Sequence, residues 1–470
     1  MTAAMLLPEI LAVLMVASVI CVLFAGYPVA LTLGGVSFAF ALIGHFAGVM
    51  NLALLGALPQ RMFGVMTNEV LLAIPLFIFM GVMLERSQIA EELLETMGRL
   101  FGSLPGGLGI AVLIVGVLLA AAKGVVGATT VTMGLIVLPT MLRHGYDPRL
   151  AAGTVAATAT LAQIFPPATV LVLLGDQMSN AYQAAQLSQG IFAPRSVTVA
   201  DLFAGALVPA FALVGLYLLY LLGIATIRPK SAPALPRDPR AARGLPLLWR
   251  LIAVLIAPIL LILAVLGSVL GGIATPTEAA SVGGVGAILL AGVKLGPAGG
   301  ARVLVPVLAR TTQITSMIFL ILIGATLFSL VFRGLGGDDL VQRALSNLPG
   351  GVAGAVPAVM IAMFLLGFVM DAFEIIFVVV PIVAPALLKM SGVDPVWLAV
   401  MMAVNLQTSY MHPPLGPTLF FLRGVAPPEI TTRHMYVGII PFVIIQLVAL
   451  VVLWFAPGLA TALPHKLYGS

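Results

Sequence analysis

The chain has 470 residues, of which 61% are hydrophobic and only 8% charged, with a formal net charge of +5. An ordinary soluble domain carries about a quarter charged residues, so this composition excludes a soluble globular protein and assigns the chain to lipid. Apolar runs close to the roughly 20 residues of a helical span recur along the sequence, and no stretch between them is long and polar enough to fold as a soluble domain.

The first run, MTAAMLLPEILAVLMVASVICVLF, has no Lys or Arg ahead of it and holds Glu9, so it lacks the basic start of a cleaved signal and reads as the first span. Cys21, the only cysteine, lies inside that run, which excludes an internal disulfide and a cysteine-rich metal site. Residues 87–101, SQIAEELLETMGRLF, put Ile89, Leu93, Leu94, Met97, Leu100 and Phe101 on one helical face and Glu91, Glu92, Glu95 and Arg99 elsewhere. That pattern predicts a helix lying in the membrane interface, too polar to span.

Two stretches then carry the same punctuation in the same order. Leu104-Pro105-Gly106-Gly107 is answered by Leu348-Pro349-Gly350-Gly351, 244 residues later. Gly145-Tyr146-Asp147-Pro148 is answered by Gly392-Val393-Asp394-Pro395, and Pro166-Pro167 by Pro413-Pro414, both at an interval of 247. Pro28 lies 248 residues before Pro276, and Thr275-Pro276-Thr277-Glu278 has the form of a capping box that starts a helix toward Leu290. The sequence therefore reads as a duplication with halves at 1–227 and 251–470. The linker between them, 228–250, holds Arg228, Lys230, Arg237, Arg240, Arg243 and Arg250 around a single acid, Asp238. Such a loop marks the cytoplasmic side of a membrane protein rather than a nucleic-acid partner.

These features predict an all-α polytopic membrane protein built as an inverted repeat, with two re-entrant hairpins and two broken helices. The hairpins fall at 105–142 and 349–389, because each pairs two apolar stretches of about 12 to 15 residues, too short to cross about 30 Å of hydrocarbon. Their tips are expected at Lys123–Thr130 and Met370–Glu374. The broken helices fall at 150–176 and 396–423. A double proline supplies no amide hydrogens, so carbonyls one turn earlier must meet a cation, a substrate or water.

Charged groups at membrane depth are costly and usually functional. Asp371 and Glu374 read as tip residues that hold a cation or orient the tip, or else as members of a buried ion pair. Lys123 reads as a contact for a substrate carboxylate, a partner for Asp371 or Glu374, or a head group in water. His412 reads as a group titrating near neutral pH or as a hydrogen-bonded cavity residue. Asp176 and Arg423 are 247 residues apart and both are expected at an aqueous edge, Arg423 as a candidate substrate contact. Arg143, His144, Asp147 and Arg149 read as loop charges. Asp338-Asp339 lacks the second acidic pair of a prenyl-transfer magnesium site. No G-x-x-x-x-G-K-[ST] string is present, which excludes ATP-driven transport by this chain. Five scattered histidines and one cysteine offer no convergent cluster for an intramembrane enzyme. An ion-coupled organic-anion carrier and a cation/proton antiporter both remain consistent with this pattern.

The sequence resembles the large membrane subunit of the tripartite ATP-independent periplasmic (TRAP) transporters over almost its whole length. The resemblance rests on IPLFIFMG (74–81), VVGATTVTMGLIVLPTM (125–141), the run from GYDP to FPPATVLVLLGD (145–176), GIATPTEAASVG (272–283) and NLQTSYMHPPLGPTLFFLRGVAPPEI (405–430). It is similar above all to the branch labelled for mannitol or chloroaromatic compounds. The resemblance implies an elevator-type carrier in the bacterial inner membrane, driven by a sodium gradient and fed with an organic acid by a periplasmic binding protein. A separate small four-helix membrane subunit is implied too, since no additional N-terminal domain is seen here. By the same resemblance, one cation site uses Gly127, Ala128, Thr129 and Thr130 with Gln163 and the carbonyls before Pro166. Its counterpart uses Asp371 and Glu374 with Thr408, Ser409 and Pro413. Substrate contacts are expected at Lys123, Thr130, Pro167, His412, Pro414 and Arg423. The chain departs from the family pattern at Lys123, Ala168 and His412, each of which removes a small oxygen ligand or adds positive charge beside the expected ion sites.

Overall fold

The computed structural model describes residues 3–87, 89–124, 126–235 and 245–469, with the side chains of 3–6, 90, 99, 122, 123 and 245–254 outside that description. The described residues contain helices, turns and loops and no strand. Among the described residues six helices, with 276–334 counted once, are long and apolar enough to cross a membrane.

The chain opens with α1 (Ala3–Phe24) and α2 (Val29–Phe46), then the shorter α3 (Leu58–Met66), α4 (Ala73–Arg86) and α5 (Ile89–Phe101). Helix α5 is amphipathic as its pattern predicts. Ile89, Leu93, Leu94 and Met97 are buried, Glu91 and Glu95 lie off that buried face, and Glu92 pairs with Lys294. Next come α6 (Gly107–Lys123) and α7 (Val126–Arg143), which form the first hairpin, then α8 (Pro148–Thr160), extended by a 3-10 turn at Leu161–Gln163. Beyond the double proline, α9 (Thr169–Ser188) leads to α10 (Val199–Ile227).

The second half begins with α11 (Leu245–Leu270) and α12 (Pro276–Gly334). The Thr275 hydroxyl accepts from the Glu278 N–H at 3.2 Å and the Glu278 carboxylate accepts from the Thr275 N–H at 2.8 Å, the reciprocal cap read from the sequence. The helix runs past Leu290 and breaks at Gly296 (φ 74°) ahead of Pro297, so α12 is two helices, 276–295 and 297–334. Helix α13 (Gly337–Ser346) precedes the second hairpin, α14 (Val352–Leu366) with α15 (Ala372–Val378) and α16 (Val380–Leu388). The α15–α16 break falls where Pro381 has no N–H to give the Phe377 carbonyl. Helices α17 (Pro395–Met411), α18 (Pro417–Val425), α19 (Thr432–Phe455) and α20 (Gly458–Tyr468) complete the chain.

The two hairpins enter from opposite faces. The ends of the first are held by the linker: the Gly106 N–H donates to the Ala232 carbonyl at 2.8 Å and the Asp147 N–H to the Ser231 carbonyl at 3.0 Å. The end of the second is held at the far side, where Gln189 Nε2 donates to the Lys389 carbonyl at 3.1 Å. Residue 189 precedes α10 and residue 231 follows it, and 29 helical residues span roughly 43 Å, a full membrane thickness. The same helices interlock across the repeats. Helix α18 packs on α7 of the first hairpin, and α9 packs on α16 of the second.

Several sequence expectations are corrected here. The first hairpin's helices hold 17 and 18 residues rather than 12 to 15, and at 1.5 Å per residue each reaches roughly 26 Å. By length alone α7 would pass as a span; the pair is re-entrant because its tip at Gly124 turns against Thr169 beside the first break. The first tip is much narrower than Lys123–Thr130. Helix α6 closes at Lys123 and α7 opens at Val126, so Gly127 to Thr130 are helical, with the Thr130 hydroxyl donating to the Val126 carbonyl at 2.9 Å, and Val125 lies outside the described residues. The second tip lies at 367–371, one turn earlier than Met370–Glu374, and Glu374 is already helical. Residues 245–250 of the expected linker belong to α11. The readings of Arg237, Asp238, Arg240, Arg243 and the Arg250 side chain lie outside the described residues.

Candidate functional site

Each broken helix starts in the same way. Asp147 caps α8 by accepting from the Arg149 N–H at 2.8 Å, and Asp394 caps α17 by accepting from the Trp397 N–H at 2.8 Å, each with proline in the first turn. Each helix then runs inward and stops at its double proline, where both Pro166-Pro167 and Pro413-Pro414 are joined by cis peptide bonds. The tips reach these breaks. A Cβ on Gly124 would stand 2.8 Å from Thr169 Oγ1, and Gly124 has φ 59°, so only glycine lets the first tip turn against the start of α9. A Cβ on Gly367 would come within 2.5 Å of the Ser409 side chain, which sets the second tip against the end of α17.

At the second tip the Glu374 carboxylate accepts from the Asp371 N–H at 2.8 Å, while the Asp371 carboxylate accepts from the Tyr410 hydroxyl. The two acids form a reciprocal capping box at the start of α15, and Asp371 in addition ties the tip to the second break. Neither forms an ion pair among the described residues. The pattern Asp371-x-x-Glu374 is the capping-box spacing already recognised at Thr275-x-x-Glu278, so this role was open to sequence reasoning. His412 Nδ1 hydrogen-bonds the Ser409 carbonyl, and its ring packs against Phe364, with centroids 4.5 Å apart, and Phe368.

At the first tip Thr129 and Thr130 are buried in the first turn of α7. The Ala128 carbonyl accepts from the Thr132 hydroxyl at 2.9 Å, and Gly127 lies against the Phe421 ring of α18. Gln163, Pro166 and Pro167 are buried in the first break. Thr408 and Ser409 direct their hydroxyl hydrogens back to the Val404 and Leu406 carbonyls, each at 2.8 Å. Pro413 is half-buried, and Pro414 is exposed with its carbonyl accepting from the Tyr436 hydroxyl at 2.9 Å. The reading of the Lys123 side chain lies outside the described residues, although its backbone closes α6.

The two breaks also touch each other. Gln407 Nε2 donates to Thr160 Oγ1 at 3.4 Å. In the residues of the two breaks and of the helices that follow them, Gln163 Oε1, Thr169 Oγ1, Gln407 Oε1 and Thr418 Oγ1 are buried without a hydrogen-bond partner among the described residues. Burying unpaired oxygens is costly, and oxygens are the ligands that a small hard cation takes. Sequence reading selected Gln163 but missed Thr160, Thr169, Gln407, Tyr410 and Thr418; the interval of 247 between Thr160 and Gln407 was the available signal.

Asp176 and Arg423 do not share an environment. Helix α9 continues for 12 residues past Asp176, leaving it mid-helix and half-buried, where it accepts from Asn68 Nδ2 at 2.8 Å and Gln177 Nε2 at 2.9 Å. Arg423 is exposed in the last turn of α18, and among the described residues it makes no ion pair or hydrogen bond.

Residues 16–459 match the family model described as the tripartite ATP-independent periplasmic transporter, DctM component. The chain is 27% identical over 450 residues to the C4-dicarboxylate TRAP transporter large permease protein DctM of Rhodobacter capsulatus, covering 95% of this chain and 97% of that one. It is 27% identical over 443 residues to the isethionate TRAP transporter permease protein DctMQ of Oleidesulfovibrio alaskensis, covering 93% of this chain and 64% of that one. Among solved structures, the YdaH transporter of Alcanivorax borkumensis matches with a TM-score of 0.61 at 18% identity, over 87% of this chain and 89% of that one, a likeness of fold alone. With the family model matched along nearly all of its length, the chain belongs to the DctM family of large TRAP transporter permeases.

Proposed function

We propose that this permease imports a small organic anion, a keto-, hydroxy- or aromatic carboxylate, across the bacterial inner membrane and couples that import to a sodium gradient. The observation that carries this reading is the set of buried, unpartnered oxygens at the two breaks, Gln163 Oε1, Thr169 Oγ1, Gln407 Oε1 and Thr418 Oγ1. Oxygen ligands suit a hard cation, and bound sodium would offset the negative charge of the solute. The organic-anion part is supported by two relatives, whose printed solutes are a C4-dicarboxylate and isethionate.

On this reading the first cation is held by Gly127 to Thr130 with Gln163 and the carbonyls ahead of Pro166. The second is held by Asp371, Glu374, Thr408, Ser409 and the turn at Pro413. The solute then lies between the tips, near Lys123, Thr130, Pro167, His412 and Pro414, and Arg423 is reserved for an approach outside the tips. The interlocking of α7 with α18 and of α9 with α16 supports an elevator in which both hairpins and both broken helices move as one body. A small membrane subunit and a periplasmic binding protein complete the system. Reconstitution with both partners tests the whole reading. The binding protein's co-purified ligand, identified by mass spectrometry and radiolabelled, should enter proteoliposomes saturably under an inward sodium gradient. Uptake should cease when the binding protein is left out. Uptake indifferent to sodium, or sodium/proton exchange without solute, would overturn it.

A further inference from the structure

Away from the tips, a cavity of about 360 Å³ opens between α3 and α12 on one side and α9, α15 and α16 on the other. Its polar wall includes Arg61, Asn68, Asp176, Gln177, Ser329 and Arg333. Arg333 is the penultimate residue of α12, and the adjoining α9 runs from its break out to Ser188, so the cavity lies toward the face opposite the basic linker. With that linker on the cytoplasmic side, this is the face on which solute arrives.

The charged groups of the cavity wall are not paired with one another. The Asp176 carboxylate is satisfied by two neutral amides, Asn68 at 2.8 Å and Gln177 at 2.9 Å, and Asn68 is itself fixed because its Oδ1 accepts from the Val70 N–H at 2.9 Å. Arg333 donates through Nε to Asp338 at 3.1 Å. Arg61 has no ion pair and no hydrogen bond among the described residues. Arg61, exposed and unpaired at the mouth of a cavity of ligand size, offers the planar, bidentate fork that recognises a carboxylate.

We propose that this cavity is a loading site for the transported solute, in which Arg61 binds its carboxylate on the outer face before the anion reaches the tips. Arg333 is already paired with Asp338, and Asp176, held by amides, keeps a second carboxylate from settling deeper without the cations of the tip sites. The identity of the bound group rests on the organic-anion reading above; the existence of the site rests on the cavity alone.

Succinate serves as the probe, with succinamide as its uncharged counterpart. The full chain carrying Cys21→Ser and Ser329→Cys is labelled with an environment-sensitive fluorophore, placed in nanodiscs and titrated at constant ionic strength. Succinate should give a saturable response and succinamide none. Arg61→Gln should weaken the succinate midpoint at least tenfold, and Arg61→Lys, which keeps the charge but loses the fork, about three- to fivefold. A monodisperse elution profile and the response of Arg61→Lys show that the variants are folded. No saturable response to succinate, an equal response to succinamide, or an unchanged midpoint in Arg61→Gln would each overturn the loading site. If this titration behaves as stated while reconstituted uptake fails, the transport reading falls and the site stands. If uptake is sodium-coupled while Arg61→Gln titrates normally, the reverse holds.

Discussion

Gln407 donates a hydrogen bond to Thr160, and the two residues lie 247 positions apart. That is also the interval separating the two GxDP turns and the two double prolines. A residue can touch its own repeat equivalent only beside the axis that relates the repeats, so this contact marks where the broken helices cross. At 3.4 Å the bond is long, and its net worth should fall at the low end of about 0.5–1.5 kcal/mol. A double-mutant cycle with Thr160→Val and Gln407→Leu, followed by unfolding in mixed micelles, should return a coupling of about 0.5 kcal/mol. Strict additivity would show that the two side chains do not interact.

The hairpins' opposite entry gives a sidedness prediction. In a Cys21→Ser background, His144→Cys reports the turn beside the linker and Ser391→Cys the turn after α16. An impermeant maleimide applied to right-side-out vesicles should label Ser391→Cys and spare His144→Cys, and inverted vesicles should reverse the pattern. Labelling of both turns from one side would contradict the inverted arrangement.

Much of this fold was legible because proline and glycine act locally. The LPGG, GxDP and PP strings fix where chains turn, cap or lose an amide hydrogen, whatever surrounds them, and the helices begin and end at those residues. Tip boundaries were less legible because Thr129 and Thr130 look like loop residues by type, whereas Thr130 satisfies its hydroxyl on the Val126 carbonyl inside a helix. The cavity around Arg61 was invisible for a different reason. Asn68, Asp176 and Arg333 meet only in three dimensions, and no local pattern joins positions more than 100 residues apart. Asp176 and Arg423 are equivalent by their interval but sit differently, Asp176 in a cavity wall at mid-helix and Arg423 exposed at a helix end, because the repeats diverge after their breaks: α9 has 20 residues and α18 only 9.

Close helix packing provides a stability prediction. A Cβ on Gly438 of α19 would lie 2.0 Å from the Arg149 carbonyl oxygen of α8, and one on Gly153 would lie 2.1 Å from the Gly438 carbonyl oxygen. Backbone atoms cannot move aside without separating the helices, so Gly438→Ala should cost about 1–3 kcal/mol and lower the apparent Tm. At Gly215 in α10 an added methyl group would meet nothing within 4 Å, so Gly215→Ala should leave Tm unchanged or raise it, by about 0.5–1 kcal/mol of helix propensity. Equal effects of the two substitutions would show that α8 and α19 do not pack this closely in the membrane.

The two acids of the second tip should separate in their effects. Glu374 accepts from the Asp371 N–H, a task that an amide oxygen also performs. Glu374→Gln should therefore keep stability close to the parent, while Glu374→Ala loses the cap and about 1 kcal/mol. Asp371 receives the Tyr410 hydroxyl, and Asp371→Asn retains an acceptor of the same shape while removing the charge. If that charge faces a bound sodium at about 4 Å, an effective dielectric of 20 makes the attraction about 4 kcal/mol, nearly three decades of affinity. Partial screening leaves an expected rise of at least tenfold in the sodium concentration that half-saturates uptake. Tyr410→Phe removes the hydroxyl and keeps the charge, so its sodium curve should move much less. Initial uptake rates against sodium concentration for the parent, Asp371→Asn and Tyr410→Phe distinguish the roles. Should Asp371→Asn keep the parent's curve, Asp371 only tethers the tip, and the second cation site must lie elsewhere.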